Sequence, residues 1–402
     1  MLGVGVRGRR HIPASGREKV LRTASARGAT ARAPSAAAVL AVWAIAIALF
    51  LVGAAVLVTP HERAAYWLRD LPVYRTAIAT FAAGSDPYRA ALAPRARGLF
   101  FTGPPFVWEL YKLAAESSFR RLVGPALVVA GLVSSAVIPL VQGWLFLGRR
   151  AERMALGCAF FFTAFAGAGF FAAMATNNGT PLYALLTVAL VPGVTRDRWF
   201  FFNAAVALAT AFKPFYAAFW LVPLLSNGSL LGCLAAMAAA ALTYLAPLLA
   251  APALFHEWLR ALSKQTLIDG LLGSGLFAAV FHQTSARLAP YEAQLAFSAL
   301  LVIASLALPQ ARTLRIAGLM LAAVFLNPRL MPYDICVAAI PLLACVAGAA
   351  SGFSQATWAV LLVVVMIACD RNTPSLDGFL YPALAVLALF AAIASRRRPA
   401  TV

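Results

Sequence analysis

Long apolar runs separated by short polar turns repeat along almost the whole of this 402-residue chain. The first, from about residue 36 to 58, is long enough to cross a bilayer as a helix, which takes about 20 residues, and exceeds the roughly 7–15-residue apolar core of a signal peptide. Further runs near 122–146, 154–175, 229–250, 293–309, 315–327, 333–349, 355–369 and 378–394 repeat the pattern. In lipid every backbone amide and carbonyl must be satisfied within the protein, so such runs predict helices.

Between 181 and 225 the pattern changes. Three apolar pieces, about 181–194, 199–212 and 215–225, are separated by Thr195-Arg196-Asp197-Arg198 and by Lys213-Pro214, and each is shorter than a full crossing. Merging the last two into one span would send Arg312, Arg315 and Arg396-Arg397-Arg398 to the face opposite the basic turn at Arg149, Arg150 and Arg153. Keeping them apart gathers all the basic turns on the cytoplasmic side. The pattern therefore predicts short, broken helices around Lys213, an arrangement that lines polar cavities in membrane proteins. The expected fold is all-α: a polytopic transmembrane helix bundle with about twelve membrane segments and both termini cytoplasmic.

The polar stretches complete the organisation. Residues 1–34 carry eight Lys and Arg against one acid and show no apolar periodicity, which predicts a disordered basic cytoplasmic tail. Residues 35–395 form a single transmembrane domain with external loops at 59–121 and 251–289, and 396–402 is a second cytoplasmic tail. In the first loop, Asp70 stands at an N-cap position, with Pro72 in the first turn, Val73, Ala77, Ile78 and Phe81 at helical spacing, and Gly84 as a stop. Asp86 before Pro87 reads as an Asx turn. The loop ends in FVWELYKLAAESSFRR, a helix for the membrane interface.

Composition narrows the class. With 62% hydrophobic and 12% charged residues the chain lies outside the soluble globular range. The net charge of +19 points toward nucleic acid only until its distribution is considered: the basic residues sit in tails and short loops, as membrane topology requires. Of 14 carboxylates, only Glu18, Glu152 and Asp197 fall inside, so acidic chemistry gathers on the external face. The five cysteines (Cys158, Cys233, Cys336, Cys345, Cys369) lie in or beside apolar runs without CxxC spacing and read as small core residues.

His61-Glu62 and His256-Glu257 lack the second histidine of a zinc helix, since Ala65 and Arg260 stand in its place. The absence of an Asp-x-Asp pair points away from metal-bound sugar nucleotides. The remaining polar candidates stand at external helix ends. Lys213 interrupts two apolar half-helices and is either a functional cation or a lysine snorkelling to the interface. Arg329 and Asp334 either serve a site or pair with each other, and Asp70 is a helix cap or a catalytic carboxylate.

Three motifs in order, Asp70 to Ala77 (DLPVYRTA), Gly84 to Tyr88 (GSDPY) and Phe100 to Phe106 (FFTGPPF), resemble the first external loop of glycosyltransferase family 87. Ala211-Phe212-Lys213-Pro214 resembles that family's internal Lys-Pro motif, and Leu326 to Tyr333 is similar to its late Ser-Pro stretch. The resemblance covers about residues 36–395. It implies a C-type membrane fold with a large structured first external loop. It also implies a plasma-membrane enzyme that transfers mannose, or next arabinofuranose, from a polyprenyl-phosphate donor to a glycolipid or polysaccharide acceptor. Inverting transfer without metal or other cofactor is expected, with Asp70 as general base, Lys213, Arg329 and Arg75 on the donor phosphate, and Tyr74, Asp86, Tyr88, Tyr333 and Asp334 binding substrate. Membrane lipids are the other partner, and no nucleic acid is expected. The chain departs from the family at Asn178-Gly179-Thr180-Pro181, at Leu272-Gly273-Ser274, and at Tyr333-Asp334, where a histidine is usual. A secondary transporter is the alternative reading, and a non-catalytic lipid-binding protein the third.

Overall fold

The computed structural model describes residues 70–88, 102–107, 117–148, 157, 161, 179–272, 275–309, 311–331, 334–349 and 374–395. Among them the secondary structure is helical, without strands. The basic tail, the first apolar run, residues 108–116 of the expected interfacial helix and the run at 355–369 lie outside the described residues, as does 154–175 apart from Gly157 and Phe161.

The elements follow the apolar pattern closely. Helix α1 (Asp70–Ala82) precedes a short 3-10 turn at Pro105–Val107, and α2 (Ser117–Gln142) runs on into a π turn at Gly143–Leu147. Then come α3 (Gly179–Arg196), α4 (Phe200–Phe212), a 3-10 segment at Pro214–Trp220, α5 (Leu221–Leu225) and α6 (Leu230–Ala250). The region expected as the second external loop is itself helical, in α7 (Pro252–Leu272) and α8 (Leu276–Gln283). The chain continues through α9 (Ala289–Leu306), α10 (Arg312–Phe325), α11 (Cys336–Ala349) and α12 (Pro374–Ser395).

Three helical stretches are long and apolar enough to cross a membrane, Val129–Leu147, Leu230–Ala250 and Ala289–Leu306. Shorter apolar helices occupy Phe200–Phe212, Pro214–Leu225, Cys336–Val346 and Phe379–Ala394. These features fit a membrane protein. Leu231 and Leu249 on α6 are 77% and 82% exposed, a surface suited to hydrocarbon and unsuited to water. Helix α10 is the opposite case: every residue from Ile316 to Phe325 is buried, because a helix that is apolar on all sides must be surrounded. Cys233, Cys336 and Cys345 are buried free thiols within this packing, as their apolar settings suggested.

One end of the bundle is stitched by arginines. Arg312 donates to both carboxylate oxygens of Asp197 and to the Gly193 carbonyl, the latter at 2.6 Å. Arg315 donates from Nε to the Leu225 carbonyl at 2.7 Å and from a terminal nitrogen to Leu308 at 3.2 Å. The last carbonyls of a helix have no intrahelical donor and carry the negative end of its dipole, so cations belong there. These contacts bring the ends of α3, α5 and α9 to the start of α10. Since α4 begins beside α3 at this end and α5 finishes here, the chain runs out along α4 and returns along Pro214–Leu225. The two pieces form a broken hairpin, as the spacing around Lys213 predicted.

A small second core lies elsewhere, where Val73, Ala77 and Tyr88 pack against Trp258 and Ala261. It joins α1 and its following turn to α7, so segments expected to be two separate external loops are packed together.

Candidate functional site

At the end of the bundle opposite the arginines, a carboxylate lies in the connection between α10 and α11. Asp334 is only 2% exposed. Its Oδ1 accepts a hydrogen bond from the Tyr183 hydroxyl at 2.9 Å, and its Oδ2 accepts from the Met331 amide at 3.0 Å and from Asn327 Nδ2 at 3.4 Å. Asn327 in turn accepts the Arg329 amide at 2.9 Å. A buried carboxyl group needs hydrogen-bond partners, and three are supplied here. Burial disfavours its charged form, and the positive charges of Lys213 and, more weakly, Arg329 work against that. With both oxygens engaged, Asp334 anchors the turn that carries Arg329.

Lys213 owes its position to a break. Its backbone is extended, at φ −144° and ψ 113°, between the last residue of α4 and Pro214. Proline cannot donate an amide to the preceding turn and disfavours helical geometry in the residue before it. The aromatic residues after the break then build a wall. Tyr216 packs edge-on against Tyr183 with ring centroids 5.0 Å apart, and its hydroxyl donates to the Gly179 carbonyl at 3.3 Å. Phe219 completes the cluster at 6.1 Å from both tyrosine rings.

The loop segments reach the same end. Phe106, after the Gly103-Pro104-Pro105 turn, meets Phe212 edge to face at 6.3 Å, one residue before Lys213. Trp258 donates its indole N–H to the Thr102 carbonyl at 3.0 Å. Gly275 lies against Leu330: a Cβ added at 275 would come within 3.1 Å of the Leu330 Cβ, so a larger residue would press on the turn that holds Arg329.

Each residue singled out from the sequence has a definite place. Lys213 and Arg329 both act electrostatically on Asp334. Asp86 forms the expected Asx turn, accepting the Tyr88 amide at 2.9 Å. Tyr88 is 3% exposed and donates its hydroxyl to the Gly103 carbonyl at 2.8 Å, which makes it part of the loop's own framework. Asp70 opens α1, and Tyr74 and Arg75 lie on it; their side chains, like Tyr333, lie outside the described residues. Among the described residues no three His, Cys, Asp or Glu side chains gather as a metal site. Sequence reasoning passed over Tyr183 and Tyr244. The signal available was a tyrosine hydroxyl set in an otherwise apolar helix, where a polar group must find a partner.

The described residues thus define an all-helical chain suited to a membrane, with a buried carboxylate and two cations at one end of its bundle. No family model, no curated protein and no solved structure matches the chain.

Proposed function

We propose that the chain is a membrane glycosyltransferase of the plasma membrane, with about twelve membrane segments in a C-type arrangement and cytoplasmic termini. It transfers a sugar, mannose first and arabinofuranose next, from a polyprenyl-phosphate donor to a glycolipid or cell-envelope polysaccharide on the external face. One observation carries the reading: Lys213 and the Arg329–Asp334 turn, from two distant parts of the sequence, share one electrostatic neighbourhood at the end where the loop segments pack.

The chemistry asks for two things. A cationic cradle stabilises the departing lipid phosphate, and a carboxylate removes the acceptor's hydroxyl proton. Lys213 and Arg329 supply the cradle, with Arg75 as a third cation, and Asp334 keeps it in register without neutralising it fully. Asp334 already accepts three hydrogen bonds, and the base is Asp70, the carboxylate that the resemblance to glycosyltransferase family 87 implies for this step. Attack on the anomeric carbon opposite the phosphate inverts its configuration, and the proton passes to Asp70.

Purified protein incubated with radiolabelled polyprenyl-phosphate mannose or arabinofuranose and a glycolipid acceptor tests this directly. Asp70→Asn is expected to lower transfer by about 10² to 10⁴ while leaving the folded yield unchanged. Wild-type turnover in that variant removes Asp70 from the mechanism. The broken helix at Lys213 also favours a second reading, a secondary transporter, because discontinuous helices mark substrate sites in that class. Uptake into vesicles without sugar transfer would select it.

A further inference from the structure

Helix α4 stops because of Pro214, and the stop has a cost at one atom. In a continuous helix the Thr210 carbonyl accepts the amide of residue 214, four positions on. Proline has no such hydrogen, so the Thr210 carbonyl is left without its backbone donor one turn before Lys213. The replacement comes from another helix: the Tyr244 hydroxyl of α6 donates to the Thr210 carbonyl, with the Ala211 carbonyl also in reach at 3.3 Å. Helix α6 is otherwise lightly packed. Only 17% of its apolar stretch is buried, and its own buried residues are Cys233, Ala240 and Pro247.

Tyr244 is held in turn from the other side. Its ring stacks on Trp258 of α7, centroids 5.6 Å apart and planes 21° from parallel. Trp258 is 3% exposed, packs in the small core with Val73, Ala77 and Tyr88, and donates its indole N–H to Thr102. A continuous series of contacts therefore leads from the loop segments through Trp258 and Tyr244 to the last turn of α4.

We infer that Tyr244 is a positioning residue: its hydroxyl closes the helix break before Lys213 and ties the placement of that lysine to the packing of the loop segments on α7. Its consequence for catalysis rests on the role given to Lys213 above; its structural content does not. A tyrosine that merely filled space would work as well as phenylalanine.

The test compares the full chain in detergent as wild type, Tyr244→Phe, Trp258→Phe and, as a control at an exposed tyrosine of α9, Tyr291→Phe. Each is treated with an amine-acylating reagent, and modification of Lys213 is followed by peptide mass spectrometry with the exposed Lys264 as internal reference. Loss of a donor to a buried carbonyl shifts a local equilibrium by about tenfold. Lys213 acylation relative to Lys264 is therefore expected to change about tenfold in Tyr244→Phe. In Trp258→Phe it should change in the same direction but less, and in Tyr291→Phe not at all. Unchanged Lys213 reactivity in Tyr244→Phe overturns the inference, and so does an equal rise at Lys213 and Lys264, which reports general loosening. Titration with the polyprenyl-phosphate donor separates the two levels. Altered Lys213 reactivity with weakened donor binding supports both, whereas altered reactivity with unchanged donor binding supports the positioning role and removes Lys213 from the phosphate site.

Discussion

Gln142, the last residue of α2, donates from Nε2 to the Val337 carbonyl at 3.1 Å, across 195 residues of chain. Val337 is the residue whose carbonyl Pro341 strips of its donor, because proline four positions along α11 has no amide hydrogen. Both groups are fully buried, and Thr187 Oγ1 lies 3.4 Å from the same nitrogen. The pair repeats the logic of Tyr244 and Pro214: a proline opens a helix, and a polar side chain from a neighbouring helix closes the gap. Gln142→Leu is expected to destabilise the folded protein by about 1 kcal/mol. In a Pro341→Ala background, where the backbone amide is restored, most of that penalty should disappear. Reversible unfolding in mixed detergent, run as a double-mutant cycle, measures the difference.

The arginine end has a pH signature. The hydrogen bond from Arg312 holds the Asp197 carboxyl below the usual carboxylate range, with partial desolvation working the other way and the arginine's charge adding to the bond. A carboxyl whose folded pKa is depressed stabilises the fold above its unfolded pKa, about 3.9, and loses that contribution as pH falls through its folded value. The contribution is small, since the group is exposed. Thermal midpoints of wild type and Asp197→Asn should therefore differ most above about pH 5 and converge toward pH 3. Arg312→Gln is expected to lower the midpoint further than Asp197→Asn, because it also abandons the Gly193 carbonyl.

Gly228 ends the turn after α5, its amide donating to the Pro223 carbonyl at 2.8 Å. A Cβ there would stand 2.5 Å from that same backbone oxygen, which cannot rotate away as a side chain would. Gly228→Ala is expected to cost about 1–3 kcal/mol. At Gly318 the nearest obstacle is the tip of the Leu308 side chain, at 2.7 Å, which can move aside. Detergent unfolding midpoints should place Gly228→Ala well below Gly318→Ala.

Some of this could be read before any fold was in hand. The break at Lys213-Pro214, the α1 helix ended by Gly84 and the Asx turn at Asp86 are local: each depends on residues within one or two turns. Gly84 indeed sits at φ +74°, where a glycine is the natural occupant. Tyr183, Tyr244 and Gln142 escaped because their partners lie far along the chain, at Asp334, Thr210 and Val337. An apolar helix with one tyrosine does not announce which helix will face it. The bond from Tyr88 to Gly103 is hidden for the same reason, since it depends on how the loop folds back on itself.

Pro214→Ala tests whether the break itself matters. With an amide restored at 214, α4 can continue and Lys213 is drawn into helical backbone, away from its extended conformation. The variant is expected to gain stability or hold it, while donor-lipid affinity falls by about tenfold or more, since a site displaced by about 1 Å loses charge-assisted bonds. Donor titration alongside detergent unfolding checks both halves. Unchanged affinity would show that the lysine's position does not depend on the break.

Tyr183 and Asp334 make the sharpest comparison at the site. Tyr183→Phe removes one donor and leaves a carboxylate that still accepts from Met331 and Asn327. Hydrogen bonds to charged groups contribute about 1.5–3 kcal/mol, so a loss of that size is expected. Asp334→Asn is nearly the same shape but changes two things at once. Its Nδ2 must face either the Tyr183 hydroxyl or the Met331 and Asn327 donors, and the latter pairing sets donor against donor. It also removes the group whose charged form Lys213 and Arg329 favour against the burial that opposes it, and each buried donor left unpaired costs about 1–3 kcal/mol. Asp334→Asn should therefore destabilise more than Tyr183→Phe, and adding Tyr183→Phe to it should cost little further, because the bond it removes is already weakened. Unfolding midpoints of the two single variants and the double variant test the order. Equal and additive losses would mean that Asp334 contributes through the Tyr183 bond and not through its charge.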